Sequence, residues 1–327
     1  MRIVIPGGSG HVGGVLCRAF ARDGHDVVVL SRGRAPAPVR TVAWDGRTLG
    51  PWVDAIEGAD VVVNLAGYSV NCRYHRRNRE RILRSRVEPT RVLGEALARC
   101  SKPPRTWLQA STATIYAHRY DKPNDEATGL LGGNEADAPG TWRFSTQVAT
   151  AWERSCEEAR LPHTRKVLLR SAITLSPERG GIFDVLLGLV RRGLGGTAGD
   201  GRQWVSWVHH EDFVRALYWL IDHEEIDGPV NVAAPGPLPN ADFMRALREA
   251  WGTRIGLPAA RWMLEVGAVF LRTETELVLK SRRVIPGRLL EGGFAFRHPT
   301  WPEAARALCR EWRTVRGGSA AGAAAAS

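Results

Sequence analysis

Residues 1–32 read MRIVIPGGSGHVGGVLCRAFARDGHDVVVLSR, and their order decides the fold. Met1–Ile5 is a short apolar run. Gly7-Gly8-Ser9-Gly10-His11-Val12-Gly13 follows, then an amphipathic stretch from Val15 to Arg22, then a second apolar run, Asp26–Leu30. That is strand, glycine turn, helix, strand. The glycines have the spacing of a dinucleotide site, in which one allows the tight turn, one lets backbone approach a pyrophosphate and one lets the helix pack close to the sheet. A helix N-terminus beside such a turn favours an anion, because its first N–H groups lack intrahelical partners and its dipole is positive there.

The end of the second strand selects the cofactor. A site for NAD places Asp or Glu there, to bind the ribose 2′-hydroxyl. This chain reads Leu30-Ser31-Arg32-Gly33-Arg34 instead. A hydroxyl and a guanidinium bind a 2′-phosphate that a carboxylate would repel. The expected cofactor is therefore NADP(H).

The same alternation continues along the chain. Asp60–Leu65 reads as a buried strand, 77–100 as a long helix, Thr106–Ala110 as a strand, 148–160 as a helix and Arg165–Leu169 as a strand. Strands separated by helices imply a doubly wound parallel sheet. Beyond about residue 175 the pattern loosens. A helix at 183–190 sits inside a glycine-rich stretch, a strand at 204–208 precedes a helix at 213–222, and Pro229–Ala233 looks like a returning strand. Asn240 reads as the cap of a helix running to Gly252. The expected division is a nucleotide-binding domain over 1–235, with some substrate-lobe elements after 175, a small helical lobe over 240–312 and a disordered, alanine-rich tail over 317–327.

Composition removes several classes of function. With 327 residues and 44% hydrophobic content the chain can bury a sizeable core, yet no apolar run reaches the length of a membrane span. The chain opens directly in a strand, with no sign of a secretory leader, and its five cysteines show no paired spacing; a reduced, cytoplasmic protein without a metal motif is expected. Net charge is +11, carried mainly by arginine. The densest basic run, Arg73–Arg86, can attract nucleic acid, but no nucleic-acid fold motif accompanies it. A small-molecule substrate is the expected partner.

Several segments resemble the short-chain dehydrogenase/reductase superfamily in its extended, epimerase-like branch. They are the Gly7–Gly13 turn, Asn64-Leu65-Ala66-Gly67, Ser111-Thr112-Ala113-Thr114-Ile115-Tyr116 and Trp207-Val208-His209-His210-Glu211-Asp212. Gly193–Gly196, Gly199–Gln203, Val284–Arg288 and Gly292–Phe296 are similar to the narrower YfcH-like epimerase family, whose members end in a domain of unknown function. The resemblance implies a Rossmann-type α/β fold with a smaller C-terminal substrate lobe. It places Gly7, Gly10 and Val12 under the pyrophosphate, with His11 and Gly13 in the same turn, and Ser31 and Arg32 at the 2′-phosphate. Leu65 and Ala66 would line the adenosine side, and Arg86 would reach the cofactor from the following helix. Extended members are often homodimers.

The usual catalytic set of these enzymes is Asn, Ser, Tyr and Lys. Aligned here, Arg143-Phe144-Ser145-Thr146-Gln147-Val148 puts Phe144 at the Tyr position and Val148 at the Lys position, and neither side chain can move a proton. Thr112 keeps the hydroxyl of the Ser position, and Arg86 takes the Asn position. Tyr116 and His209 are the remaining candidate proton carriers. Tyr116 requires a nearby cation, which Arg86 can supply. Asp212 either orients His209 or caps the next helix. Tyr68 and Asn71 follow the strand-end turn and are candidates to face the cleft. The leading reading is an NADP(H)-dependent oxidoreductase acting on a small carbonyl or hydroxyl compound. The alternatives are an NADP(H)-binding regulator without turnover and, behind it, an RNA-binding protein. A sugar-nucleotide epimerase cycle is disfavoured by the loss of the Tyr–Lys pair.

Overall fold

The computed structural model describes residues 1–33, 39–135, 139–270 and 274–324. Arg34, quoted above with the 2′-phosphate segment, lies outside them, as do the last three residues of the expected tail.

Seven strands form the central sheet: β1 (Arg2–Pro6), β2 (Asp26–Ser31), β3 (Arg40–Ala43), β4 (Val61–Asn64), β5 (Thr106–Ala110), β6 (Arg165–Ser171) and, after three short strands, β10 (Gly228–Val232). Their order is β10-β6-β5-β4-β1-β2-β3, and all the pairings are parallel. The strand order reverses between β1 and β4, which opens a crevice at the carboxyl ends of the strands, where such sheets bind ligands. Both faces of the inner strands are covered, so β1, β2 and β4 are almost wholly apolar and alternate between two cores. Ile3, Ile5, Val27 and Val29 pack on one side with α1 (His11–Arg22) and α5 (His210–Asp222). Val4, Val28, Leu30 and Val62 pack on the other, against α2 (Arg76–Leu97) and α3 (Gly140–Glu157).

The helix expected at 148–160 starts earlier, at Gly140. Pro139 precedes it, and a residue without an N–H costs nothing where helical N–H groups have no acceptor. This shift places Phe144, Ser145 and Val148 on one helix, and it decides the site below.

The segment read as one strand, 204–208, is split between two small sheets. β8 (Trp204–Val205) pairs with β11 (Leu238–Pro239), and β9 (Trp207–His209) pairs with β7 (Ile173–Leu175). Asn240 is not a cap: α6 (Asn240–Trp251) begins at it, Pro239 holds the cap position, and the Asn240 side chain accepts from the N–H of Ala198 at 2.9 Å.

The lobe has its own core, which draws on both sides of residue 235. α4 (Ile182–Arg191) contributes Phe183, Leu187 and Val190, and β9 contributes Trp207; α6 and α10 (Trp301–Ala324) contribute Phe243, Leu247, Trp301 and Leu308. Phe243 and Trp301 stack with centroids 4.0 Å apart. Three further helices, α7 (Arg261–Phe270), α8 (Glu276–Leu279) and α9 (Gly287–Glu291), lie between α6 and α10 in the chain, and α9 packs against β10 with Leu289 in the core of the sheet. The tail read as disordered continues α10 as helix to Ala324; alanine, the strongest helix former, permits this. Among the described residues no helix is long and apolar enough to cross a membrane.

Candidate functional site

The turn between β1 and α1 has the geometry that its glycines promise. Gly7 has φ +77°, and a Cβ there would lie 2.7 Å from Ala66 backbone, so this position needs both the left-handed conformation and the missing side chain. A Cβ on Gly13 would lie 2.4 Å from the carbonyl oxygen of Gly8, so only glycine lets α1 pack onto the turn. Gly10, the N-cap of α1, faces open space and supplies no side-chain cap, and the first helical turn contains no acid. The N–H groups there remain available to an anion. His11 points away from that role: its Nε2 shares a 2.7 Å hydrogen bond with Ser176 Oγ and ties the turn to the segment after β7.

At the end of β2, Ser31 and Ser9 share a hydrogen bond between hydroxyls at 2.8 Å, and the N–H of Gly33 donates to Ser31 Oγ. Arg32 is exposed beside them. Across the crevice, Leu65 N–H donates to Pro6 O at 2.8 Å. Ala66 N–H donates to the buried Asn64 side chain, which Thr90 and Gln109 hold in place. Arg86 supports this loop from behind: its Nη1 donates to the carbonyls of Tyr68 and Ile82, both at 3.0 Å, and its guanidinium lies over the Trp152 ring. Burial pushes the Arg86 pKa down to about 10. Tyr68 lies under Arg81, 3.8 Å from its ring centroid, and Asn71 is exposed.

Several arginines of the basic run have partners within the chain. Arg73 pairs with Glu274, Arg79 donates to Tyr74 O, Arg84 pairs with Glu80 and Glu88, and Arg86 is as described. Arg76 and Arg77, at the start of α2, are exposed.

A cavity of about 240 Å³ opens beside this loop. Thr112 stands on its wall, as does Arg86. So do Phe144 and Val148, the two residues at the Tyr and Lys positions, together with Ser145 from the same helix. The far side comes from the C-terminal lobe: Glu276, Leu277 and Arg282. A larger surface depression of about 410 Å³, lined by Asp184, Gly188, Arg191, Arg192 and Arg316, shares no residue with this region.

Two candidate proton carriers are not at the cavity. Tyr116 is buried; its phenol donates to Asn231 Oδ1 at 2.9 Å and accepts from Arg170 Nη1 at 3.0 Å. Burial pushes this phenol up, and the neighbouring cation, which is Arg170 and not Arg86, does not reverse the shift. Arg170 is held by Glu153 through two hydrogen bonds of 2.9 and 2.8 Å, and Glu153 also accepts from Ser111. Tyr116 thus serves the packing between β6, α3 and the loop after β5.

His209 is fully buried in the lobe junction. Its Nδ1 accepts from Glu211 N–H at 3.2 Å and so caps α5, and its ring stacks between His210 and His298. Burial holds the imidazole below its usual range, hence neutral. Asp212 neither orients His209 nor caps the helix. Its carboxylate accepts from the N–H groups of Arg297 and His298, both at 2.8 Å, and fastens the lobe.

His209, His210 and Glu311 bring donor atoms within 4.8 Å of one another, as do His209, Glu211 and His298. They come from three distant segments, so no ligand spacing in the sequence could reveal them. Burial pushes Glu311 up, but the imidazoles of His209 and His210 outweigh it and hold the carboxyl at about 2. A carboxyl depressed from 4.5 contributes stability above that value and loses it as pH falls toward about 2. Glu311→Gln is therefore expected to cost about 2 kcal/mol at neutral pH and almost nothing near pH 2. Urea unfolding at both pH values checks this; an equal cost at each would contradict it.

Sequence reading missed the lobe's contribution to the cavity. Two signals were available: Glu274 and Glu276 in alternate positions, and Lys280, one of only four lysines in the chain (with Lys102, Lys122 and Lys166).

Comparison with known proteins agrees with this geometry. The model of the NAD dependent epimerase/dehydratase family matches residues 3–233, and that of a domain of unknown function, DUF1731, matches residues 259–308. The epimerase family protein SDR39U1 of Bos taurus is 32% identical over 306 residues, covering 91% of this chain and 96% of the relative. The epimerase family protein ML0860 of Mycobacterium leprae is 33% identical over 305 residues, covering 92% and 94%. The crystal structure of human SDR39U1 (isoform 2) with NADPH superimposes with a TM-score of 0.82 at 28% identity, covering 95% of this chain and 99% of that one. With its glycine turn and reversed strand order in place, the chain belongs to the NAD dependent epimerase/dehydratase family and carries a C-terminal DUF1731 domain.

Proposed function

We propose that the chain is an NADP(H)-dependent oxidoreductase that interconverts a small carbonyl compound and its alcohol in the cavity beside Thr112. The observation that carries this reading is the continuity of the crevice. The uncapped N-terminus of α1 and the Ser9–Ser31–Arg32 corner lie at the carboxyl ends of β1 and β2, and the cavity lies further along the same strand ends. The related human protein crystallised with NADPH supports the choice of cofactor.

The residues present fit that cofactor. Gly10 leaves room for a pyrophosphate, and the N–H groups of His11, Val12 and Gly13 open the helix toward it. Ser31 and Arg32 would hold the 2′-phosphate, with Ser9 as a further hydroxyl. Leu65 and Ala66 would line the adenosine side, and Arg86 fixes their loop. When bound, the cofactor supplies hydride chemistry, and the protein supplies position and electrostatics. Thr112 Oγ1 already accepts from Thr114 N–H at 3.2 Å, so its proton is free to point into the cavity and polarise a substrate oxygen.

A second reading, a cofactor-binding regulator without turnover, is favoured by Phe144 and Val148 standing on the cavity wall. Calorimetric titration with NADPH and NADH, followed by exposure of the NADPH complex to a panel of carbonyl compounds, separates the two. NADPH binding with oxidation supports the reductase, NADPH binding with no oxidation across the panel supports the regulator, and no binding of either nucleotide overturns both. Arg32→Ala is expected to weaken NADPH about 10- to 100-fold, as one or two charge-assisted hydrogen bonds are lost, and to leave NADH unchanged. Equal loss for both nucleotides would remove Arg32 from the 2′-phosphate site.

A further inference from the structure

The C-terminal lobe inserts an ionisable group where the fold has lost its own. Glu276, at the start of α8, is 1% exposed and lies on the wall of the cavity opposite Thr112. Its Oε2 accepts from Ser145 Oγ at 2.5 Å, and Ser145 adjoins Phe144, the residue at the Tyr position. Its Oε1 is buried and accepts no hydrogen bond among the described residues, and Lys280 Nζ is 3.7 Å from it. Lys280 is fully buried too and donates to Thr114 O at 2.9 Å. The pieces of a carboxyl–hydroxyl relay and an adjacent ammonium are thus assembled at the cavity from α3 and α8.

We propose that Glu276 and Ser145 form the proton relay of this site, with Glu276 storing the proton and Ser145 Oγ passing it to the substrate oxygen. The proposal rests on the oxidoreductase reading. In the reducing direction the electron pair of the carbonyl π bond moves onto oxygen as the reduced nicotinamide supplies hydride to carbon. With Glu276 protonated, its O–H donates to Ser145 Oγ and frees the Ser145 proton; the substrate oxygen takes that proton, Ser145 takes the Glu276 proton, and Glu276 is left as the carboxylate that accepts from Ser145 Oγ, to be reloaded from solvent. One O–H bond breaks at Glu276 and one forms on the product. No oxidant or reductant is needed beyond the nicotinamide cofactor.

The surroundings favour this role. Burial pushes the Glu276 carboxyl above the usual carboxylate range, and Glu274 adds to the rise, while Arg282 and Lys280 oppose it. Tyr74, facing Glu276 from the segment before α2, is itself pushed up to about 12, chiefly by burial and then by Glu276, so it stays protonated and adds no charge. Burial, and then Arg282, bring Lys280 down to about 8. Arg86 is the remaining cation on the cavity wall. A carboxyl whose desolvation outweighs the nearby cations and the Ser145 hydrogen bond takes up a proton more readily than a solvated one, as a proton carrier must. The lobe of unknown function therefore completes the site by replacing a Tyr–Lys pair with a Ser–Glu pair beside a lysine.

Two measurements test this without a known substrate. Infrared difference spectra of the full-length protein and its Glu276→Gln variant, taken at neutral pH, should show a protonated-carboxyl band in the parent alone. Glu276→Asp should retain a shifted band and serves if the glutamine variant does not fold. Calorimetry in buffers of different ionisation enthalpy should then show more proton release on binding NADP⁺ than on binding NADPH. The positive nicotinamide favours the ionised carboxyl, and the 2′-phosphate contribution is common to both nucleotides. The difference should approach one proton and vanish in Glu276→Gln. Absence of the band, or equal proton release with both nucleotides, overturns the relay while leaving the oxidoreductase reading intact. Failure to bind either nucleotide overturns that reading instead, and with it the relay.

Discussion

Replacing Arg170 with alanine is expected to destabilise the protein by about 3–5 kcal/mol, because it leaves a buried carboxylate without its cation. The side chains of Arg170 and Glu153 are only 9% and 7% exposed, and they meet through two hydrogen bonds. Removing the guanidinium leaves Glu153 with Ser111 as its remaining side-chain donor and takes from the Tyr116 phenol the N–H it accepts. Denaturant unfolding without nucleotide should show the whole loss. Glu153→Leu combined with Arg170→Met should cost far less than either alanine replacement, since the pair's desolvation is removed along with its attraction. A cost below about 1 kcal/mol for Arg170→Ala would mean that the pair is solvated.

The second large effect concerns the turn. Gly10→Val is expected to leave the fold intact and to weaken NADPH binding about 100-fold or more, as N–H contacts to the pyrophosphate worth about 1.5–3 kcal/mol each are obstructed. The first clause follows from the open space at Gly10, where a Cβ would come no closer than 3.7 Å to Gly7 O. Gly13→Val provides the contrast. Its Cβ would overlap Gly8 backbone, so stability and binding should fall together. Thermal melts and nucleotide titrations on both variants separate the effects. If Gly10→Val binds NADPH as well as the parent, the pyrophosphate does not lie at this helix.

Much of the fold was legible because parallel strands buried on both faces must be continuously apolar. Ile3–Ile5, Val27–Leu30 and Val61–Val63 are buried almost completely, and each run reads plainly as a strand. β3 was missed because this edge strand, Arg40–Ala43, is largely exposed and carries no such run. The start of α3 was missed because Pro139-Gly140 reads as a turn although proline is harmless at a helix start.

The catalytic region divides in the same way. Phe144 and Val148 meet on the cavity wall, since a four-residue spacing on a helix keeps both on one face. Tyr116 and His209 were candidates by residue type and by the family-like segments that hold them, and tertiary packing gave their polar atoms other partners: Asn231 and Arg170 for the phenol, the Glu211 N–H and neighbouring imidazoles for the histidine. Glu276 offered only the weak signals of an alternate Glu274 and a rare lysine at 280, because its partner in the cavity lies 131 positions away on α3.

The sequence by itself thus determined the strand–turn–helix that opens the chain, the absence of an acid at the end of β2 and the loss of the Tyr–Lys pair. Each depends on backbone conformation or on side-chain type at a fixed local spacing. Only the tertiary structure decided which ionisable groups face the cavity, because burial, charge and hydrogen-bond partners come from segments that meet only when the lobe closes on the sheet.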